Sequence, residues 1–165
     1  MSVDGGYVLS QRRYMADILN CAGMVDCKPL ATLVSTTRTT DESDSLFDNP
    51  TQYRSLAGAS QYLTVTRSDI SYAVNRLCQH MHSLSVSHWV MLKRVLPYVK
   101  ATLQFGLRLR PSRTSVLHGY SDSNWARDVL DRKSTSGFAV YLGDNLISWV
   151  CRKHRTVARS STEAE

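Results

Sequence analysis

VLPYVKATLQFGLRLR, residues 95–110, is where the apolar period of the chain changes. Upstream, apolar side chains recur every three or four residues, as on one face of a helix. From Leu103 the pattern has period two: Leu103, Phe105, Leu107 and Leu109 alternate with Gln104, Gly106, Arg108 and Arg110, as in a half-buried strand. The change predicts an α+β protein, with helices through residue 102 and a small antiparallel sheet from 103 to 165.

Toward the N-terminus, the residues after Ser87 place Trp89, Leu92, Val95, Leu96 and Val99 on one side of a helix. Lys93, Arg94 and Lys100 fall on the other. Pro97 lies inside that pattern, where its missing N–H and its ring cost about 3 kcal/mol, so a bend or break is expected near Leu96. Ile70, Ala73, Val74, Leu77 and Met81 predict another helix, entered through Ser68-Asp69 as an N-cap. Leu56, Ala59, Tyr62 and Leu63 predict a shorter one. VSTTRTTDESDSLFDNP, residues 34–50, has one aromatic residue and too little apolar surface to offset its ordering entropy; a mobile loop is expected. Tyr7-Val8-Leu9 reads as a short strand leading into a helix marked by Tyr14, Met15, Ile18, Leu19 and Ala22 and stopped by Gly23.

Toward the C-terminus, Pro111-Ser112-Arg113 turns the chain into a strand over Val116 to Asp122. Gly137 to Leu142 and Leu146 to Cys151 form a hairpin closed by Gly143-Asp144-Asn145. The last residues, Ser160 to Glu165, have the capping hydroxyls of a helix N-terminus.

A chain of 165 residues fits one domain or two small ones and is too short for a complete polymerase. With 42% hydrophobic and 21% charged residues it is not expected to be disordered throughout. No run approaches the roughly 18 apolar residues of a membrane span, and MSVDGGYVLS lacks the layout of a signal peptide. The expectation is an intracellular protein, cytoplasmic or nuclear, with no membrane partner. Cys21, Cys27, Cys78 and Cys151 form no CxxC, which favours reduced thiols over zinc or disulfides. Residues 1–50 hold four Lys/Arg against seven Asp/Glu, whereas residues 51–165 hold sixteen against seven. The basic part is the candidate binding surface, attracting phosphate backbones by counterion release. A solvated basic face without a partner is the competing explanation.

Asp122 shares a strand face with Val116, His118 and Tyr120, where an acid is either a strand end in water or a metal ligand. Glu163 and Glu165 are first-turn acids that a helix dipole favours. Together, a strand carboxylate and a helix carboxylate could hold a hard divalent cation such as magnesium. Trp89, Trp125 and Trp149 interleave with basic residues, a pattern suited to tracking a backbone and stacking bases. The alternative for Trp149, beside Ile147 and Val150, is a core position. The basic candidates for nucleic-acid contact are Lys93, Arg94, Lys100, Arg152, Lys153 and Arg155. Neither a Gly-rich phosphate loop, a GxSxG elbow nor a Cys/His pair is present.

Several blocks then read as one family. YVLSQRRY (7–14), GMVDCKPLATL (23–33), YRSLAGASQYLTVTRSDISYAVNRLCQHM (53–81), LKRVLPYVKAT (92–102), GYSDSNWARD (119–128), RKSTSGFAVYLGDNLISWVCRK (132–153) and TVARSSTEAE (156–165) closely resemble the Pol polyprotein of copia-type LTR retrotransposons. The resemblance implies a reverse-transcriptase thumb/connection segment over 1–102. A connection strand and the first three strands of a truncated RNase H-like domain follow over 103–165, with the start of its first helix. The family's polymerase aspartates lie upstream of these blocks, so no polymerase activity is expected. Its RNase H uses four carboxylates on two magnesium ions; matched to the motifs, Asp122 and Glu165 are two of them, with Glu163 as the fallback for Glu165. Asn124 replaces the motif's second acid, Arg127 stands at a usual glycine, Ser68 at a usual proline and Pro97 at a usually basic residue.

The resemblance thus implies a catalytically inactive polyprotein fragment with residual affinity for an RNA–DNA hybrid and no productively bound metal. Its partner in the parent element would be the rest of the polyprotein. A domesticated basic module that binds nucleic acid or protein without catalysis is the alternative. A nuclease completed by a partner chain's carboxylates is a third. The strand over Val116 to Asp122 is expected to be left as an exposed edge.

Overall fold

Met15, Ile18 and Leu19 point one way from a ten-residue amphipathic turn of chain, α1 (Arg12–Cys21), which ends at Gly23 with φ at +64°. The computed structural model describes residues 2–3, 5–33, 45–125, 131–160 and 162. They fall into two units: Ser10–Gly106, which is helical, and Met1–Leu9 with Leu107–Glu165, which is built of strands. Helices and antiparallel sheets make the fold α+β, as the change of period at 95–110 predicts.

In the helical unit, α1 is followed by α2 (Pro50–Leu63), a 3-10 turn at Ser68–Ile70, α3 (Ser71–Gln79) and α4 (Val86–Ala101). Their apolar faces meet in one core that includes Met15, Tyr53, Leu56, Leu63, Ile70, Leu77, Leu92, Leu96 and Val99. Burying each such side chain contributes about 1.5–3 kcal/mol. The Tyr53 hydroxyl donates to the Leu77 carbonyl at 2.9 Å, so its polar end is satisfied inside the core.

Three expectations need correction here. The stretch 34–50 is not loop to its end: residues 34–44 lie outside the described residues, but Leu46 bridges Ser85 and Phe47 stacks on Trp89 with ring centroids 4.7 Å apart. Pro50 then opens α2 behind Asn49, whose side chain accepts from the Gln52 N–H. One aromatic ring and a helix cap thus anchor a segment whose composition reads as disordered. Second, Ser68-Asp69 forms the 3-10 turn and makes no side-chain cap. Third, α4 runs unbroken through Pro97, which is buried beside Leu96 and Val99 while its carbonyl accepts from the Leu30 N–H at 3.3 Å. Packing of the ring offsets the lost backbone bond.

The strand expected from Leu103 is also shorter. Leu103 packs on the helical core, and Phe105 lies 5.6 Å from the buried Arg67 guanidinium, leaving β3 as Leu107–Leu109. β3 pairs antiparallel with β2 (Gly6–Leu9), which pairs with β1 (Ser2–Val3). The first nine residues therefore go with the strand unit. A second antiparallel sheet has the order β4 (Leu117–Asn124), β5 (Thr135–Leu142), β6 (Asn145–Lys153). Gly143, with φ at +55°, begins the two-residue hairpin loop between β5 and β6, and a side chain there would run into Ser112 and Thr114. The Asn145 side chain accepts from the Arg110 N–H and donates to its carbonyl, at 2.7 and 2.8 Å, extending the backbone pairing where β3 ends.

Little of the described part of this unit is buried. Among its described residues only Gly6, Ser134 and Ala158 are buried, and Leu117, Tyr120, Phe138, Ile147 and Val150 are exposed. Among the described residues β4 has a strand neighbour on one side only, β5.

Candidate nucleic-acid interface

The register of the three strands decides which side chains come together. Ser123, Ser136 and Arg152 lie directly across from one another, as do Ser121, Phe138 and Val150 one pleat away on the same face. Beyond the end of β6 the chain continues as His154-Arg155. These residues line an open groove of about 790 Å³, with Asp122, Gly137 and Lys153 completing its wall. Ser136 ties the floor together: its hydroxyl donates to the Ser123 hydroxyl at 2.8 Å and lies 2.6 Å from His154 Nε2. The groove thus gathers hydroxyl groups, an imidazole and three cationic side chains, with Phe138 supplying an aromatic surface.

The predicted site residues divide clearly. Arg152, Lys153 and Arg155 all line this groove. Arg152 and Arg155 are exposed, while Lys153 also pairs with Asp131 at 3.0 Å. On α4, Lys93 is exposed, its ammonium 5.7 Å from the Trp89 ring centroid. Arg94 donates to the Thr32 hydroxyl at 3.1 Å and Lys100 to the Cys27 carbonyl at 2.6 Å. Those two cations fasten residues 27–32 to α4, a task the helical wheel does not reveal. Trp149 is half-buried rather than core. Trp125 is 45% exposed and anchored by its indole N–H to the Ala158 carbonyl at 3.0 Å.

Asp122 is exposed on β4 and also borders the groove, although strand alternation sets its side chain on the face of His118 and Tyr120, opposite that of Ser121 and Ser123. The residues across from it are Gly137 and, one strand on, Cys151, whose thiol burial pushes up. Glu163 and Glu165 lie outside the described residues, as does Arg127. Among the described residues no three His, Cys, Asp or Glu side chains converge. One exposed carboxylate facing a glycine and a thiol is a poor fit to a magnesium pair, which needs several oxygen ligands in fixed geometry.

Ser121, Ser123, Ser136 and His154 were not singled out by sequence. The signal that finds them is the parity of the strands combined with the hairpin register, which aligns Ser123 and Ser136 with Arg152. Among the described residues no helix is long and apolar enough to cross a membrane.

No protein-family model matches the chain, and no solved structure does. Among curated proteins it is similar to the retrovirus-related Pol polyproteins of the Arabidopsis thaliana transposons RE2 and RE1. It is 48% and 46% identical to them over 164 residues, or 99% of this chain. It is also 46% identical over 160 residues to an uncharacterized mitochondrial protein of the same plant, of which it covers 67%. The chain spans about 11% of the length of the two polyproteins. Similarity at this level along nearly every residue, through the helical unit and the strands alike, places the chain in the family of retrovirus-related Pol polyproteins of copia-type transposons.

Proposed function

We propose that this segment of a Pol polyprotein binds nucleic acid through phosphate contacts and carries out no phosphodiester chemistry of its own. The observation that supports the reading is the groove at the end of β6, where Arg152, Lys153, His154 and Arg155 meet Ser123 and Ser136. Guanidinium, imidazole and hydroxyl groups donate to phosphate oxygens, and a duplex bound in this way is held by its backbone rather than read by its bases. An RNA–DNA hybrid is the ligand the family resemblance suggests. The described residues support this reading in that no three His, Cys, Asp or Glu side chains among them converge as a metal site requires.

Fluorescence anisotropy with a short RNA–DNA hybrid tests the binding. Affinity is expected to fall linearly in log–log form with salt, and Arg152→Ala and Arg155→Ala are each expected to reduce the slope by about one, whatever the duplex sequence. Binding that ignores salt, or that survives both substitutions unchanged, removes the groove from the account. Magnesium-dependent cleavage of the hybrid that Asp122→Asn abolishes would show a working nuclease instead.

A further inference from the structure

Among the described residues that line the groove at the end of β6, His154 is the imidazole, and its hydrogen bonds fix which ring nitrogen carries the proton. Its backbone N–H donates to the Ser134 carbonyl at 2.8 Å, one step beyond the last β5–β6 pair, so the sheet holds the half-buried residue in place. The Ser136 hydroxyl has a single proton and donates it to Ser123 at 2.8 Å. The 2.6 Å contact between Ser136 and His154 Nε2 then requires the ring to be the donor. The neutral ring therefore keeps its proton on Nε2, and Nδ1 is the nitrogen left to gain one. Gaining it adds a charge and a second donor without breaking the bond to Ser136.

Resting on the reading of this groove as a phosphate site, we propose that His154 makes its affinity for nucleic acid depend on pH, the ring taking up a proton when a backbone phosphate is bound. Among the described residues, the charged and titratable side chains facing the ring are Asp122 from β4, Arg152 and Lys153 from β6, and Arg155 beyond it. β5 contributes Ser136, Gly137 and Phe138, which do not ionise. Lys153 is in turn held by Asp131 at 3.0 Å, which also pairs with Lys133 at 3.4 Å. From about pH 5.5 to about pH 8, carboxylates, guanidiniums and ammoniums ordinarily hold their charge, whereas imidazole changes its own. Phosphodiesters do not titrate in this range, and a phosphate oxygen beside the ring favours the imidazolium. By linkage, a ligand that favours the protonated ring is bound more tightly by it, so affinity increases as pH falls. The gain is complete where the free ring is already charged and is lost as pH rises through the titration of the bound complex. The imidazolium then joins Arg152, Lys153 and Arg155 on the bound backbone.

Anisotropy of the full chain with a short RNA–DNA hybrid at about pH 5.5 and about pH 8, each across a salt series, reads the prediction. Binding is expected to be about tenfold tighter at the lower pH, with a salt slope steeper by about one. His154→Gln, whose amide N–H can still donate to Ser136, is expected to bind as the parent does at the higher pH and to lose both differences. The chain has five histidines, so this variant, and not the profile alone, assigns the effect. If the variant does not fold, NMR of the carbon-bound ring protons of His154 in the parent serves instead: their titration midpoint is expected to move up by about one pH unit when hybrid is added. Hybrid binding that Arg152→Ala weakens but that is equal at both pH values, a pH effect that His154→Gln retains, or a midpoint that hybrid does not move overturns the role of His154 alone. Failure to bind at either pH, or binding indifferent to Arg152→Ala, overturns the groove as a phosphate site and the role of His154 with it.

Discussion

Arg67 shows how one side chain can organise a helical unit. It is 1% exposed, and its guanidinium makes a two-pronged contact with Asp69 at 2.8 and 2.7 Å. It also donates to the Thr102 carbonyl at 3.1 Å and hydroxyl at 2.7 Å, and touches the Met15 sulfur. It thereby joins the turn before α3 to the end of α4 and to α1. Burial works against ionisation of Asp69, but hydrogen bonds and charge from Arg67, with the Tyr98 hydroxyl, outweigh it and hold the carboxyl below its usual range. Arg67→Met is expected to destabilise the chain by about 3–5 kcal/mol in urea unfolding, because Asp69 and Thr102 lose their partner inside the unit. A loss below about 1 kcal/mol would mean that the pair is not integral. Since Asp69 titrates lower folded than unfolded, its contribution is complete above the ordinary carboxylate value of about 4 and is lost as pH falls through the lower folded value. Asp69→Asn should remove that part of the acid sensitivity, measured as urea midpoint against pH. In sequence Ser68-Asp69 reads as a helix cap because the motif fits one; the arginine that claims the aspartate lies two residues before it, but its burial depends on Thr102 and Met15.

At the scale of elements, α4 was legible in its apolar face and misread at its proline. Its start is fixed by Ser85 and His88, which close a reciprocal capping box, with the Ser85 N–H donating to His88 Nδ1 at 3.1 Å. Ser85→Ala is expected to lower stability by about 1 kcal/mol, and Asn49→Ala, which uncaps α2, by a similar amount. Thermal melts that do not move for either variant would show that packing alone sets these ends. The α4 proline was expected to break the helix because local rules count the missing bond; they do not count the side of the helix that is buried. The same gap explains residues 103–106. Their alternation is that of a strand, yet Leu103 and Phe105 find contacts in the helical unit before a strand partner is available.

Among the described residues, the helical unit has a buried core and the strand unit is largely exposed. Amide exchange should follow that division. Protection is expected to be strong in α2, α3 and α4, where Leu56, Leu77 and Leu92 are buried, and weak across β4, whose residues face solvent. Slow exchange throughout Leu117–Asn124 in dilute protein would contradict this. By itself the sequence determined the α+β class, the helix faces, the hairpin and the family, because periodicity, turn residues and motif order are local or linear properties. Only the tertiary structure decided that Arg94 and Lys100 hold a loop while Arg152 and Arg155 border a groove, that Phe47 stacks on Trp89, and that Tyr7–Leu9 pair with Leu107–Leu109. Each of these depends on which distant residue is near, and a basic or aromatic side chain looks the same in sequence whether it meets solvent, a carbonyl or another ring.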